Sequence, residues 1–195
     1  MRIPENLEKV CALGPDYVGY IFYPGSKRYV GSKPDPALFR LPPPYIIKVG
    51  VFVNEQISRI KELQKEHRLD MVQLHGNESA TNCRELLDAG IQVIKVLNPD
   101  SSWEEYADAV PFFLFDTPDP GWGGTGKKFD WNLITKRSIP RPFLLSGGIG
   151  PEDAGIVREL EHENFRGIDI NSRFELSPGE KDIQRLKGFI TEIRK

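Results

Sequence analysis

The chain has 195 residues, 39% hydrophobic and 28% charged, and its 26 Lys+Arg stand against 28 Asp+Glu for a net charge of −2. This describes one globular domain over 1–195, long enough to bury a sizeable core. With no basic cluster and no apolar run near the roughly 20 residues of a membrane span, neither nucleic acid nor membrane is expected as a partner. Cys11 and Cys83 are too few for a disulfide framework or a metal site. The stretch MRIPENLEKV lacks the apolar centre of a signal peptide, so a reduced cytoplasm is the expected compartment.

The chain opens on a helical pattern at 4–13 and then alternates strand-like and helix-like segments. Strand-like runs fall at 17–22 (YVGYIF), 46–53, 71–75 (MVQLH), 92–96 (QVIKV), 112–116 (FFLFD), 143–146 (FLLS) and 167–171 (GIDIN). Most are continuously apolar, as strands covered on both faces should be. Further helical patterns lie at 36–40, 54–66, 79–89, 101–107, 130–136, 151–160 and 181–195. Ile57, Ile60 and Leu63 make an apolar stripe in one of them, and Ile183, Leu186, Ile190 and Ile193 in the last. Such alternation predicts an α/β fold with parallel strands, either a closed (β/α)8 TIM barrel or an open doubly wound sheet. Eight helices with seven strands, in a chain that starts on a helix, match a (β/α)8 barrel whose first β-strand is absent. Neither the rigid Pro42-Pro43-Pro44 nor the glycine-rich GWGGTG at 121–126 reads as a domain linker, since each sits between a strand and a helix of the same pattern.

In such a barrel the strand C-termini build the active site. Asp116 closes FFLFD, where four apolar residues press it toward the dry setting a general acid needs; a turn-capping aspartate is the plainer alternative. Ser146-Gly147-Gly148, ahead of Pro151-Glu152-Asp153, offers backbone N–H groups and a helix start to an anion. Combined with Asn171 and Ser172 after the next strand, it predicts a phosphate site; alone it is a helix-entry turn. Arg28, between Tyr23 and Tyr29, is placed either to fork onto a substrate carboxylate or to lie in solvent. Gln73 and His75, two residues apart, should face the barrel interior as packed polar groups. His67 and His162 lie in charged stretches and are expected at the surface.

Taken in order, YIFYPGSKRYV, KVGVFVN, VQLHG, VIKV, FDT, GGTGKKFDW, LLSGGI-PED and GIDINSRFE-LSPGEKD resemble the phosphoribosylanthranilate isomerases of tryptophan biosynthesis from about Arg2 to Lys195. Each motif is weak alone, and eight in register are specific. The resemblance implies an enzyme, an aldose–ketose isomerase working without cofactor or metal as a monomer or homodimer. It converts N-(5-phosphoribosyl)anthranilate into 1-(2-carboxyphenylamino)-1-deoxyribulose 5-phosphate by an Amadori rearrangement. By the same resemblance Asp116 is the general acid, Arg28 holds the anthranilate carboxylate, Gly147, Gly148 and Ser172 bind phosphate, and Asp169 lies near the reacting sugar.

The family's general base is a cysteine ending the first strand in a K-[IV]-C-G-[ML] motif, and Met1 aligns just past that Cys-Gly. Hence the reading of a chain without its first strand, through a start set at an internal methionine or a shortened chain. An open seam between 17–22 and 167–171 is then expected. Cys11, inside the first helical pattern, is rejected as a substitute base. Arg173 stands where the family more often has glycine, so it either adds a phosphate contact or points to solvent. The rival reading is a non-catalytic binder of phosphoribosyl ligands that has lost the base.

Overall fold

The computed structural model describes residues 1–117 and 128–195. Among these residues seven parallel strands form one sheet in sequence order: β1 (Tyr17–Ile21), β2 (Ile47–Phe52), β3 (Met71–Leu74), β4 (Gln92–Leu97), β5 (Phe112–Phe115), β6 (Phe143–Leu145) and β7 (Phe165–Ile168). Among the described residues seven α-helices lie around it, α1 (Pro4–Cys11), α2 (Ala37–Arg40), α3 (Ile57–His67), α4 (Ala80–Asp88), α5 (Asn132–Thr135), α6 (Ala154–Arg158) and α7 (Ile183–Ile193). A small antiparallel hairpin, β8 (Glu175–Ser177) and β9 (Glu180–Lys181), precedes α7.

The continuously apolar strands are explained by two cores. Leu7 and Val10 of α1, Ile60 and Leu63 of α3, Leu86 of α4 and Leu186 of α7 cover the outer face. On the other face Val49, Met71, Ile94, Val96, Leu114 and Leu144 meet in one cluster. Side chains from β2 through β6 converge there only because the sheet curls into a partial barrel. Helix starts are written locally: Ser79 and Asn82 satisfy each other's backbone N–H groups at α4, and the Asp182 carboxylate accepts from Arg185 N at α7.

Three expectations are corrected. The eighth helix, expected at 101–107, is a single 3-10 turn at Glu104–Tyr106, because Val110 must be delivered to the core and Pro111 bars further winding before β5. The last strand of the sheet begins at Phe165, opposite Phe143, and leaves the ladder after Ile168, because β6 ends at Leu145 and offers Asp169 N only its final carbonyl. Nor do the two outer histidines lie free at the surface. His162 bonds Arg137 O and Asn164 N and meets Phe143 edge-on. His67 stacks on Phe39 at 4.2 Å and on Phe22 at 5.5 Å between ring centroids. The GWGGTG loop lies outside the described residues.

Burial holds the His67 imidazole below its ordinary pKa of 6.5, with Glu66 pulling the other way. A histidine that binds its proton more weakly when folded makes stability rise with pH, so this contribution is lost as pH falls below about 6.5. We expect His67→Phe to keep the stack and to show a smaller loss of urea midpoint between pH 7.5 and pH 5 than the parent chain.

β1 and β7 are the two ends of the sheet, and among the described residues no ladder joins them. The outer edge of β1 is partly used by its own chain: the Met1 amine donates to Gly19 O, and Val30 N donates to Ile21 O at 3.0 Å.

Candidate active site

A cavity of about 830 Å³ opens at the strand C-termini, within the size range of small-molecule sites. Arg28, Asp116, Gly147, Gly148, Asp169 and Ser172 all line it, so residues scattered over 145 positions of sequence are brought to one place. The same space continues between β1 and β7 as far as Val10, Ile190 and Ile193 of the helical layer.

Asp116 follows β5, which delivers it to the rim as its N–H donates to Leu97 O at 3.1 Å. Its Oδ1 accepts from Thr117 N at 2.8 Å, and its Oδ2 lies 3.4 Å from His75 Nε2. His75 in turn has Nδ1 3.4 Å from Gln73 Nε2, and its own N–H donates to Phe52 O at 2.8 Å. Gln73 and His75 do face the interior as their spacing implies, but His75 is more than a packed polar residue, for it touches the candidate acid. Alternation with Met71 places His75; only the tertiary structure supplies Asp116.

The loop carrying His75 is pinned from behind. Ile94 and Val96 point into the curled sheet, so Lys95 between them points out toward the helices. There its Nζ donates to Gly76 O at 2.7 Å and to Glu78 Oε2 at 2.9 Å. Glu78 also accepts from Gly76 N at 2.9 Å and from Asn54 N at 2.7 Å. An ion pair with both side chains under 4% exposed is tolerable because each charge is so fully hydrogen-bonded. Reading VIKV as plain strand misses it.

Gly147 and Gly148 have φ of 89° and 64°, conformations in which other residues are strained. A Cβ on Gly147 would also stand 2.2 Å from Thr117 Oγ1. Their N–H groups meet no protein acceptor among the described residues. The expected helix start is different: Pro151–Asp153 is a 3-10 turn, and the Asp153 carboxylate accepts from Gly150 N at 2.7 Å, so the chain caps this start itself. Ser172 faces the two glycines' cavity from the 3-10 turn Ser172–Phe174. Arg173 turns away to Glu152 at 2.8 Å on the surface.

Arg28 lies neither in solvent nor on an unoccupied rim. Its Nε and Nη2 fork onto Glu175 at 2.7 to 3.0 Å. Glu175 also accepts from Lys181 Nζ at 3.2 Å and Gly179 N at 3.0 Å. Burial pulls the Glu175 carboxyl up, but the Arg28 hydrogen bonds and the Lys181 charge outweigh it and leave it below its ordinary value. Asp169 is pushed the other way, first by burial and then by the neighbouring Asp116 charge. Neither thiol offers a ready base: Cys11 on α1 and Cys83 on α4 are buried in the helical layer, and burial pushes both up, Cys83 to about 11.

Comparison with known proteins decides the family. The model of N-(5'-phosphoribosyl)anthranilate isomerase matches residues 2–192. The chain belongs to this family. Among curated relatives, the N-(5'-phosphoribosyl)anthranilate isomerase of Parabacteroides distasonis is 45% identical over 203 residues, covering 99% of this chain and 90% of that protein. A crystal structure of phosphoribosyl anthranilate isomerase from Thermus thermophilus superposes with a TM-score of 0.86 at 26% identity, covering 100% of this chain and 95% of that one. Another phosphoribosyl anthranilate isomerase, solved with reduced 1-(o-carboxyphenylamino)-1-deoxyribulose 5-phosphate, is 32% identical with a TM-score of 0.76 over the same shares. The curled parallel sheet is therefore the barrel-like fold of phosphoribosyl anthranilate isomerases.

Proposed function

We propose that this chain binds N-(5'-phosphoribosyl)anthranilate in the cavity and isomerises it to 1-(2-carboxyphenylamino)-1-deoxyribulose 5-phosphate, a step of tryptophan synthesis in the cytoplasm. Family membership over residues 2–192 favours this over a non-catalytic binder. The observation that carries the site is Asp116 against His75 in a cavity that also presents Gly147, Gly148 and Ser172. The phosphate takes the N–H groups of Gly147 and Gly148 with Ser172, and Arg28 receives the anthranilate carboxylate. Asp116 then gives its proton to the furanose ring oxygen as the C1–O bond breaks, and the nitrogen lone pair forms the C1=N bond of a Schiff base. Loss of the C2 proton to a base gives an enamine, which becomes the ketone when its enol tautomerises. Asp169 sits beside this centre. A monomer or homodimer suffices, because the site's residues come from one chain.

The base belongs to the seam. A strand added ahead of Met1 would follow the outer edge of β1 from Gly19 back toward Tyr17, in the space that runs between β1 and β7. We take that space as the place of the barrel's first strand and of its cysteine. The test is loss of anthranilate-type fluorescence from freshly made substrate, with the chain and with a form bearing that strand. Consumption above the spontaneous rate is expected, faster in the extended form; the reading fails if neither form outpaces its own Asp116→Asn variant.

A further inference from the structure

From the Arg28–Glu175 geometry we infer that Glu175 is a positioning residue that aims Arg28, so that the site selects ligands bearing an aryl carboxylate alongside their sugar phosphate. This inference rests on the proposed function and adds to it a residue that the family motifs alone do not single out for carboxylate recognition.

Glu175 sits on the segment that carries phosphate recognition. Three residues earlier Ser172 lines the cavity, and β8 then carries Glu175 to Arg28 on the loop after β1, 147 positions away in sequence. The carboxylate is no displaceable competitor for Arg28. Its side chain is 5% exposed and holds four donors at once: Arg28 Nε, Arg28 Nη2, Lys181 Nζ and Gly179 N. A ligand would have to break all of them to take its place.

The support under Glu175 is equally fixed. Lys181 Nζ donates to Asn171 O at 3.1 Å as well as to Glu175, and its backbone exchanges two hydrogen bonds with the Asn6 side chain of α1, at 2.8 and 2.9 Å. The guanidinium is thereby tied through Glu175 and Lys181 to Asn171, the residue before Ser172. A guanidinium whose Nε–Nη2 edge is held by Glu175 loses little freedom when it meets a second carboxylate, whereas a loop arginine without such support must be ordered by the ligand.

A merely structural clasp and an aiming device differ in which ligands they affect. Glu175→Gln removes the charge and weakens the fork at constant shape. Calorimetry with two probes separates the roles: reduced 1-(o-carboxyphenylamino)-1-deoxyribulose 5-phosphate, which carries the carboxylate, and ribose 5-phosphate, which does not. We expect affinity for the first to fall about tenfold or more, as when a charge-assisted hydrogen bond is lost, and affinity for the second to stay within about twofold. Glu175→Asp keeps the charge with a shorter reach and should lie between Glu175→Gln and the parent chain for the first probe alone. It carries the test if Glu175→Gln does not fold. Equal losses for both probes would make Glu175 a general clasp and overturn the inference. Unchanged or tighter binding of the carboxylate probe would overturn it too, showing that Arg28 needs no aiming. If the parent chain binds neither probe, the site reading itself falls, an outcome distinct from either of these.

Discussion

Asp116→Asn is expected to lower kcat/KM by about 10²–10⁴ while leaving affinity for the reduced product analogue almost unchanged, because the substitution removes a transferable proton and little else. Asparagine has the same shape. Its side-chain oxygen can still accept from Thr117 N, and its amide can face His75, so the local frame should survive. That frame is unusually well supported: His75 is tied to Phe52 O, and its loop is pinned by the buried Lys95–Glu78 pair on the far side of the sheet. A drop in turnover therefore reports chemistry rather than collapse. The loss should fall on kcat, because proton delivery to the ring oxygen matters only as the C–O bond breaks. Fluorescence assays under single-turnover conditions check the rate, and calorimetry with the analogue checks binding. A variant turning over at the parent rate would remove Asp116 from the acid's role.

What could be read from sequence follows the range of the forces involved. Strands buried on both faces write their apolar character into consecutive residues, so 17–22, 46–53 and 112–116 are located from FFLFD-like runs alone. The Ser79–Asn82 cap is likewise three residues wide. Strand limits depend on the neighbour, and GIDIN misleads because β6, not β7, decides where that ladder ends. Asp116 and Gly147 are legible as candidates because strand ends are where barrel chemistry collects, whereas Asp169, inside the run 167–171, is singled out only by the family resemblance. Contacts such as Arg28 with Glu175, or His75 with Asp116, join residues 147 and 41 positions apart. No local pattern encodes them. Lys95 is the hardest case, since one charged residue in an apolar strand is legible as buried only when its partner Glu78 is seen beside it.

Extending the chain with a K-V-C-G strand ahead of Met1 should have two separable effects. The first is on stability. In the chain as it stands the Met1 amine is partly buried where it donates to Gly19 O, and desolvation, aided by the Lys181 charge, lowers its pKa from 8.0 to about 5. Between those values the unfolded state binds the proton that the folded state resists, so stability should climb as pH rises from 5 to 8. Joining a residue to Met1 converts the amine to a neutral amide and removes that slope. It also gives the edges of β1 and β7 a partner, and unpaired strand edges invite association with other chains. The extended form should then melt higher, show a shallower pH 5-to-8 dependence that keeps only parts such as that of His67, and self-associate less by light scattering. The second effect is expected to be catalytic: under the proposed function a cysteine at the end of that strand would supply the base for the C2 proton, a gain of about 10²–10⁴ in rate. An extension with Cys→Ala should keep the whole gain in stability and none of the gain in turnover. If the alanine form is as fast as the cysteine form, the base lies elsewhere in the cavity, and Asp169, pushed above its ordinary value by burial and by Asp116, becomes the group to replace next.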